Sequence, residues 1–183
     1  MPGRFGRPHQ MTRSFIQLGL LCLLRQGPQD LPHSTRWLLQ LLGLLLCVQA
    51  LAAATLGAPQ NLPLRLLLSF AFLLGPAWLL LGMLDLRARY VQTVSAFAGA
   101  GLLFSLLAVP AALLLRGLSP ESAEQGVTAG QALGVWLLLG MTVWKLVVDS
   151  HIWRHALGCP APVAIGLTLA LFLIELIVVR QLS

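Results

Sequence analysis

The dominant pattern along the chain is a series of five long apolar runs separated by short polar segments. Each run is about 20 residues long, the length that an α-helix needs to cross the hydrocarbon core of a bilayer. The pattern therefore predicts five transmembrane helices, and their expected bounds are residues 37–57, 64–84, 93–115, 131–148 and 162–179.

A shorter apolar segment precedes these runs, within residues 14–33. Its apolar part, about 11 residues, is too short to cross a bilayer. We expect a short amphipathic helix lying at the inner membrane interface, ended by Gly27 and followed by a proline-rich turn. Residues 1–13 are rich in glycine, proline and arginine and predict a disordered basic lead, while residues 34–183 form the five-helix transmembrane domain.

Composition agrees with this assignment. Of 183 residues, 57% are hydrophobic and 10% are charged, whereas soluble domains carry about 25% charged residues. The fold class that we predict is an all-α polytopic membrane protein with five transmembrane helices preceded by a short interfacial amphipathic helix. The three cysteines, Cys22, Cys47 and Cys159, are scattered and predict packing residues, not a disulfide framework.

The net charge of +6 would suggest nucleic acid as a partner in a soluble protein. Here the basic residues are scattered and no basic stripe is interleaved with aromatics, so we expect no nucleic-acid binding. Positive charges that flank membrane spans instead set topology and attract anionic lipid headgroups. The expected partners are the bilayer, with its anionic headgroups, and a membrane protein or a second copy of the chain.

Topology follows from the distribution of lysine and arginine between the two sides of the membrane. With the N-terminus inside, nine basic residues fall on the inner side: Arg4, Arg7, Arg13, Arg25, Arg36, Arg87, Arg89, Lys145 and Arg154. Three fall on the outer side: Arg65, Arg116 and Arg180. We therefore predict a multi-pass protein of a bacterial inner membrane, with a cytoplasmic N-terminus and a periplasmic C-terminus.

The stretch LLRQGPQDLPHS, followed by several apolar spans, resembles a group of small uncharacterised bacterial inner-membrane proteins. The layout of a cytoplasmic N-terminal segment, a proline-containing turn and five spans is similar to that of the Yip1-like superfamily. This resemblance implies a membrane-organising or trafficking factor, and it supplies no catalytic residues.

Three ionisable residues in or near the spans are candidates for function, because charge inside a bilayer is costly. Lys145 and Asp149 have the i, i+4 spacing that lets them pair on one helix face. They fit either a snorkelling pair that marks the end of the fourth span or an ion or proton site. Glu175 is expected nearer the outer face, too far from Lys145 to pair with it, with either a structural role or a role in proton or substrate coupling.

A polar cluster follows the fourth span, in the segment HIWRHALGC. His151 and His155 share one helical face and are weak candidates for metal ligands, but no HExxH pattern accompanies them. Beside Arg154 they fit an anchor at the headgroup boundary or a pH sensor better. Three aromatic residues are expected to be interfacial anchors: Trp37, Tyr90 and Trp153.

The sequence contains no nucleophile elbow, phosphate-binding loop or dinucleotide-binding glycine pattern. We therefore expect no catalytic residues, no resident metal and no cofactor. The first hypothesis for function is a non-catalytic protein that organises or assists a membrane complex through helix packing and a basic cytoplasmic face. The second is a small oligomeric transporter or channel subunit using Lys145, Asp149 and Glu175, and the third is a metal-dependent membrane enzyme.

Overall fold

The computed structural model describes residues 8–56, 61–116, 126 and 128–181. Every regular element among them is helical, and the six α-helices are, in chain order, α1 (Pro8–Cys22), α2 (Thr35–Leu56), α3 (Leu62–Met83), α4 (Tyr90–Leu114), α5 (Ala129–Leu157) and α6 (Ala161–Gln181). Single 3₁₀ turns precede α2, at Pro28–Asp30, and α4, at Arg87–Arg89.

Five of these helices, α2 to α6, are long and apolar enough to cross a membrane. The chain is thus an integral membrane protein with a multi-pass helical architecture. The predicted spans agree with four of the helices to within three residues at each end. The N-terminus of α2 is capped by Ser34, because the Trp37 N–H donates to Ser34 Oγ at 3.4 Å.

The fourth span is longer than predicted, because α5 continues through Leu157 instead of ending at residue 148. At its start, the Gln131 N–H donates to Thr128 Oγ1 at 3.3 Å, and the Thr128 N–H donates to Gln131 Oε1 at 3.0 Å. At its end, Gly158 takes the left-handed conformation, with φ of 66°, that terminates helices. Between these caps the polar residues interrupt the apolar pattern but break no backbone hydrogen bond, so the helix passes through them.

Helix α4 is the centre of the bundle and contacts α1, α2, α3 and α5. Its first half is buried and rich in small side chains, including Ser95 and Gly99, which allow neighbouring helices to approach closely. At Gly99 a Cβ atom would overlap the end of the Leu18 side chain, so Leu18 or α1 would have to shift. Helix α6 closes the bundle by contacting α5 and α3.

The predicted short helix before the first span is α1, and one face of its C-terminal half packs into the bundle. Leu18 and Leu21 are both fully buried. The indole N–H of Trp144 donates to the Cys22 carbonyl at 3.2 Å, and Trp144 lies thirteen residues before the end of α5, which is about 20 Å along that helix. The helix was expected to lie flat at the membrane interface, whereas α1 enters the bundle.

Both bounds of this N-terminal helix differ from those expected. It begins at Pro8, so residues 8–13 of the predicted disordered lead are helical, because a proline fits the first turn of a helix; residues 1–7 lie outside the described part. It ends at Cys22, five residues before Gly27. Leu24 takes a left-handed conformation with φ of 61°, and the Arg25 N–H donates to the Leu20 carbonyl at 2.9 Å, which is the hydrogen bond of a Schellman helix end.

Candidate functional site: a polar cavity between the five spans

A cavity of about 500 Å³ lies between the five spanning helices, each of which contributes to its wall. Much of the wall is apolar and includes five aromatic side chains: Phe72, Phe97, Phe104, Trp153 and Phe172. The polar part of the wall includes Gln49, Ser69, Ser105, Thr142, Lys145, Asp149, Thr168 and Glu175. A cavity of this size and mixed lining is typical of a small-molecule site.

Five of the polar residues form a layer at one depth. To compare depths, we define the basic end of the bundle as the end at which α2, α4 and α6 begin and α3 and α5 finish. The five residues, here named the polar layer, lie twelve to fifteen residues from that end, one on each helix: Gln49, Ser69, Ser105, Lys145 and Glu175. This separation is about 18 to 23 Å along a helix, so the layer lies in the interior of the spans.

The structure corrects the expected separation of Lys145 and Glu175. Lys145 lies twelve residues before the end of α5, and Glu175 lies fourteen residues after the start of α6, so their depths are about 18 and 21 Å. Both side chains line the same cavity, and the Glu175 carboxyl interacts electrostatically with Lys145 and Asp149. The sequence estimate was wrong because it measured depth from residue 148, whereas α5 extends nine residues further.

The predicted pairing of Lys145 and Asp149 is present. Lys145 Nζ donates to Asp149 Oδ2 at 2.5 Å, and the two side chains are 43% and 13% exposed. Lys145 lies too far from the end of α5 to be only a marker of that end. The pair is a polar contact in the cavity wall that neutralises both charges within an apolar surrounding.

Two acceptor atoms in the cavity wall are left without a donor. Asp149 Oδ1 and Gln49 Oε1 are buried and have no hydrogen-bond partner among the described residues. The other end of the Gln49 amide is occupied, because its Nε2 donates to Ser69 Oγ at 3.3 Å. Buried acceptors without a partner are costly, and both oxygens are closed off from the cavity space itself.

The end of α1 borders this cluster. Burial raises the pKa of the Cys22 thiol to about 11, with the Asp149 carboxylate adding to the rise and Lys145 opposing it. The thiol is therefore protonated at neutral pH, which makes it a poor nucleophile and a poor metal ligand.

Side chains of α4 and α5 hold the segment Leu23–Ser34, which joins α1 to α2, in the bundle. His151 Nε2 donates to the Gln26 carbonyl at 2.9 Å, and Gln92 Nε2 donates to the Gln29 and Leu31 carbonyls at 3.2 and 3.0 Å. Carbonyl groups that form no helical hydrogen bond need such partners, because an unpaired buried backbone group is costly. His151 thus acts as a donor to the N-terminal segment.

The other polar residues of the predicted cluster lie at the basic end. His155 lines a smaller pocket of about 280 Å³ together with Arg89, whose guanidinium donates to the Ala156 carbonyl at 3.1 Å. Arg154 is exposed. Within the described ranges no three His, Cys, Asp or Glu side chains converge on a position for a metal ion.

Two of the three predicted interfacial anchors have a different role. The indole of Trp37 packs against Phe15 with ring centroids 5.2 Å apart, and that of Trp153 packs against Phe97 at 4.9 Å. Both tryptophans are buried, so their rings contact protein instead of lipid headgroups. The anchor role was wrong for them because α1 covers Trp37 and the central helix covers Trp153. Tyr90, the first residue of α4, stays a predicted anchor.

The sequence pattern identified Lys145, Asp149 and Glu175 as candidates. It did not identify the polar-layer residues of α2, α3 and α4. A glutamine within a leucine-rich span was the available signal, since Gln49 has no polar neighbour in sequence. Ser69 and Ser105 give no such signal, because serine is common in membrane helices.

Comparisons with protein-family models, with curated proteins and with solved structures give no match to this chain. The function of the protein must therefore be inferred from the cavity and the residues that line it.

Proposed function

We propose that this protein is a small membrane carrier or channel subunit that admits a solute or a proton to the cavity between its five spans. The polar layer carries this proposal, because each of the five helices contributes one polar side chain at the same depth. Polar and ionisable residues are costly within a membrane, and they mark ion, proton and substrate paths. Packing alone requires no such convergence, since apolar side chains would fill the same space.

Glu175 has the leading role in this proposal. Lys145 is neutralised by Asp149, so the Glu175 carboxyl is left to take up a proton or the positive charge of a solute. On the wall of the same cavity, Lys145 lies two residue positions and Asp149 six residue positions nearer the basic end than Glu175, and both interact electrostatically with its carboxyl. In the expected cycle, Glu175 releases its proton when a cation binds and regains it when the cation leaves.

The proposed orientation places the N-terminus in the cytoplasm and the C-terminus in the periplasm of a bacterial inner membrane. Five exposed arginines near the basic end support it: Arg25, Arg36, Arg87, Arg89 and Arg154. Such residues are enriched on the cytoplasmic side and contact anionic lipid headgroups. Five spans are few for a lone carrier, so we also propose that copies of the chain associate through their exposed apolar faces.

A second candidate function is the organisation of a membrane complex, as the Yip1-like layout implies. The same exposed arginines favour it, because a basic face at the membrane surface is suited to an acidic partner. This candidate assigns no role to the polar layer, and for that reason we place it second. Recovery of one stoichiometric partner from membranes, lost when these arginines are replaced, would favour it.

Reconstitution tests the proposed function. Vesicles containing the purified chain and a pH-sensitive dye are given a pH gradient, and its collapse is followed. We expect the protein to accelerate the collapse and Glu175→Gln to abolish the acceleration. Asp85→Asn is the matched control, because Asp85 lies in the turn after α3 and lines neither pocket, and asparagine accepts its left-handed conformation with φ of 55°. Equal rates for the wild type and Glu175→Gln would contradict the proposal.

A further inference from the structure

The charges of the cavity favour a cation as its occupant. Two carboxyl groups, Asp149 and Glu175, line it with one ammonium group, Lys145. The ammonium already pairs with Asp149. An ionised Glu175 therefore needs a further positive charge, because an uncompensated charge in an apolar surrounding is very costly. An anionic solute would meet the carboxylates with no free cation among the described residues of the wall to receive it.

The size of the cavity adds a second requirement, which is independent of charge. A metal ion bound alone would leave most of its volume of about 500 Å³ unfilled. The favoured occupant is therefore an organic cation.

The apolar part of the wall sets a third requirement. Four phenylalanines and one tryptophan line the cavity. Aromatic faces attract cations and bury apolar groups. A ligand with an aromatic or aliphatic body would contact them while its charged end reaches the polar layer, and cavities of this volume hold drug-sized molecules.

We propose that the cavity binds a protonated hydrophobic amine, with its ammonium group against the Glu175 carboxylate and its apolar body against the aromatic side chains. This inference rests on the proposed function and names the solute class. The ammonium N–H groups donate to the Glu175 carboxylate, and the ammonium charge replaces the proton of Glu175.

Binding of three probes with one skeleton tests the proposal. The full chain in nanodiscs of zwitterionic lipid is titrated with 3-phenylpropylamine, 3-phenylpropan-1-ol and 3-phenylpropanoate, and empty nanodiscs correct for partition into lipid. We expect saturable binding of the amine, with the alcohol and the carboxylate at least about tenfold weaker, because a charge-assisted hydrogen bond and an ion pair are lost. The alcohol or the carboxylate binding as tightly as the amine would overturn the proposal.

Variants assign the binding to the cavity. Glu175→Gln should weaken binding of the amine by about tenfold or more and leave binding of the alcohol unchanged. Glu175→Asp and the control Asp85→Asn should retain amine binding. The Glu175→Asp variant keeps the test valid if the glutamine variant unfolds. Equal amine binding by the wild type and Glu175→Gln would overturn the proposal. Collapse of a pH gradient that depends on Glu175, without any amine binding, would contradict this inference and leave the proposed function standing.

Discussion

Lys145 and Glu175 line one cavity at nearly the same depth, although they lie on different helices and 30 residues apart in sequence. Their common level follows from the Gly158–Pro160 turn, which joins α5 and α6 as antiparallel neighbours. Residues at similar distances from such a turn meet across the helix interface. The charged residues of the fourth and fifth spans therefore belong to one site.

Removing Lys145 alone should destabilise the protein more than removing Lys145 and Asp149 together. Lys145→Met leaves the buried Asp149 carboxyl without its partner, and we expect a loss of about 1 to 3 kcal/mol, lowered from the cost of a fully buried pair because Lys145 is partly exposed. The double variant Lys145→Met, Asp149→Leu removes both charges and should recover most of that loss. Thermal unfolding in detergent measures both effects, and a double variant no more stable than Lys145→Met would argue against a neutralising pair.

The packing of α1 on α4 is expected to require a residue without a Cβ atom at position 99. Gly99→Ala places a Cβ atom that overlaps Leu18 Cδ2, so the Leu18 side chain or α1 must shift, at a cost of about 1 to 3 kcal/mol. Adding Leu18→Ala should relieve the clash in part. Gly43→Ala is the matched control, because its Cβ meets nothing within 4 Å. If both glycine variants unfold at the temperature of the wild type, α1 does not pack on α4 as described.

His151 predicts local protection of the segment that follows α1. Its Nε2 donates to the Gln26 carbonyl, and His151→Ala leaves that carbonyl unsatisfied, which costs about 1 to 3 kcal/mol. Hydrogen exchange of residues 23–31 should become faster in this variant. His155→Ala is the comparison, since His155 lies in the smaller pocket, and it should leave the exchange of these residues nearer to that of the wild type. Unchanged exchange in His151→Ala would remove the anchoring role.

The buried Cys22 thiol should react with alkylating reagents only at high pH. Its pKa is raised to about 11 from 9.0, and since the thiolate is the reactive form, alkylation should rise with pH up to about 11. Asp149→Asn removes the negative charge that adds to this rise, so the profile should shift to lower pH. A chain unfolded in detergent gives the reference reactivity. A native profile that coincides with that of the unfolded chain would contradict the burial of Cys22 beside Asp149.

The number and type of helices could be predicted from the sequence, because an apolar run of membrane-spanning length admits few other structures. The end of α5 could not. Its polar residues find partners in three dimensions, as Lys145 does with Asp149 and His151 with the Gln26 carbonyl. A hydropathy pattern records such residues only as an interruption.

Only part of the candidate site could be predicted from the sequence. Charged residues within spans are conspicuous, so Lys145, Asp149 and Glu175 were found. Their meeting in one cavity depends on where α5 ends, and an error of nine residues there changes the inferred depth by about 14 Å. The layer also contains Ser105, whose place on the cavity side of α4 is set by packing and not by composition.

Water access to the polar layer is the most direct test of the central claim. In a chain whose native cysteines are replaced by alanine, Ser105→Cys and Leu107→Cys are treated with a charged, membrane-impermeant thiol reagent. Ser105 lines the cavity, whereas Leu107 is 57% exposed on the outside of the bundle at a similar depth. Labelling of Ser105→Cys, with Leu107→Cys unlabelled, is the predicted result. An unlabelled Ser105→Cys, or equal labelling of the two, would contradict a solute cavity between the five spans.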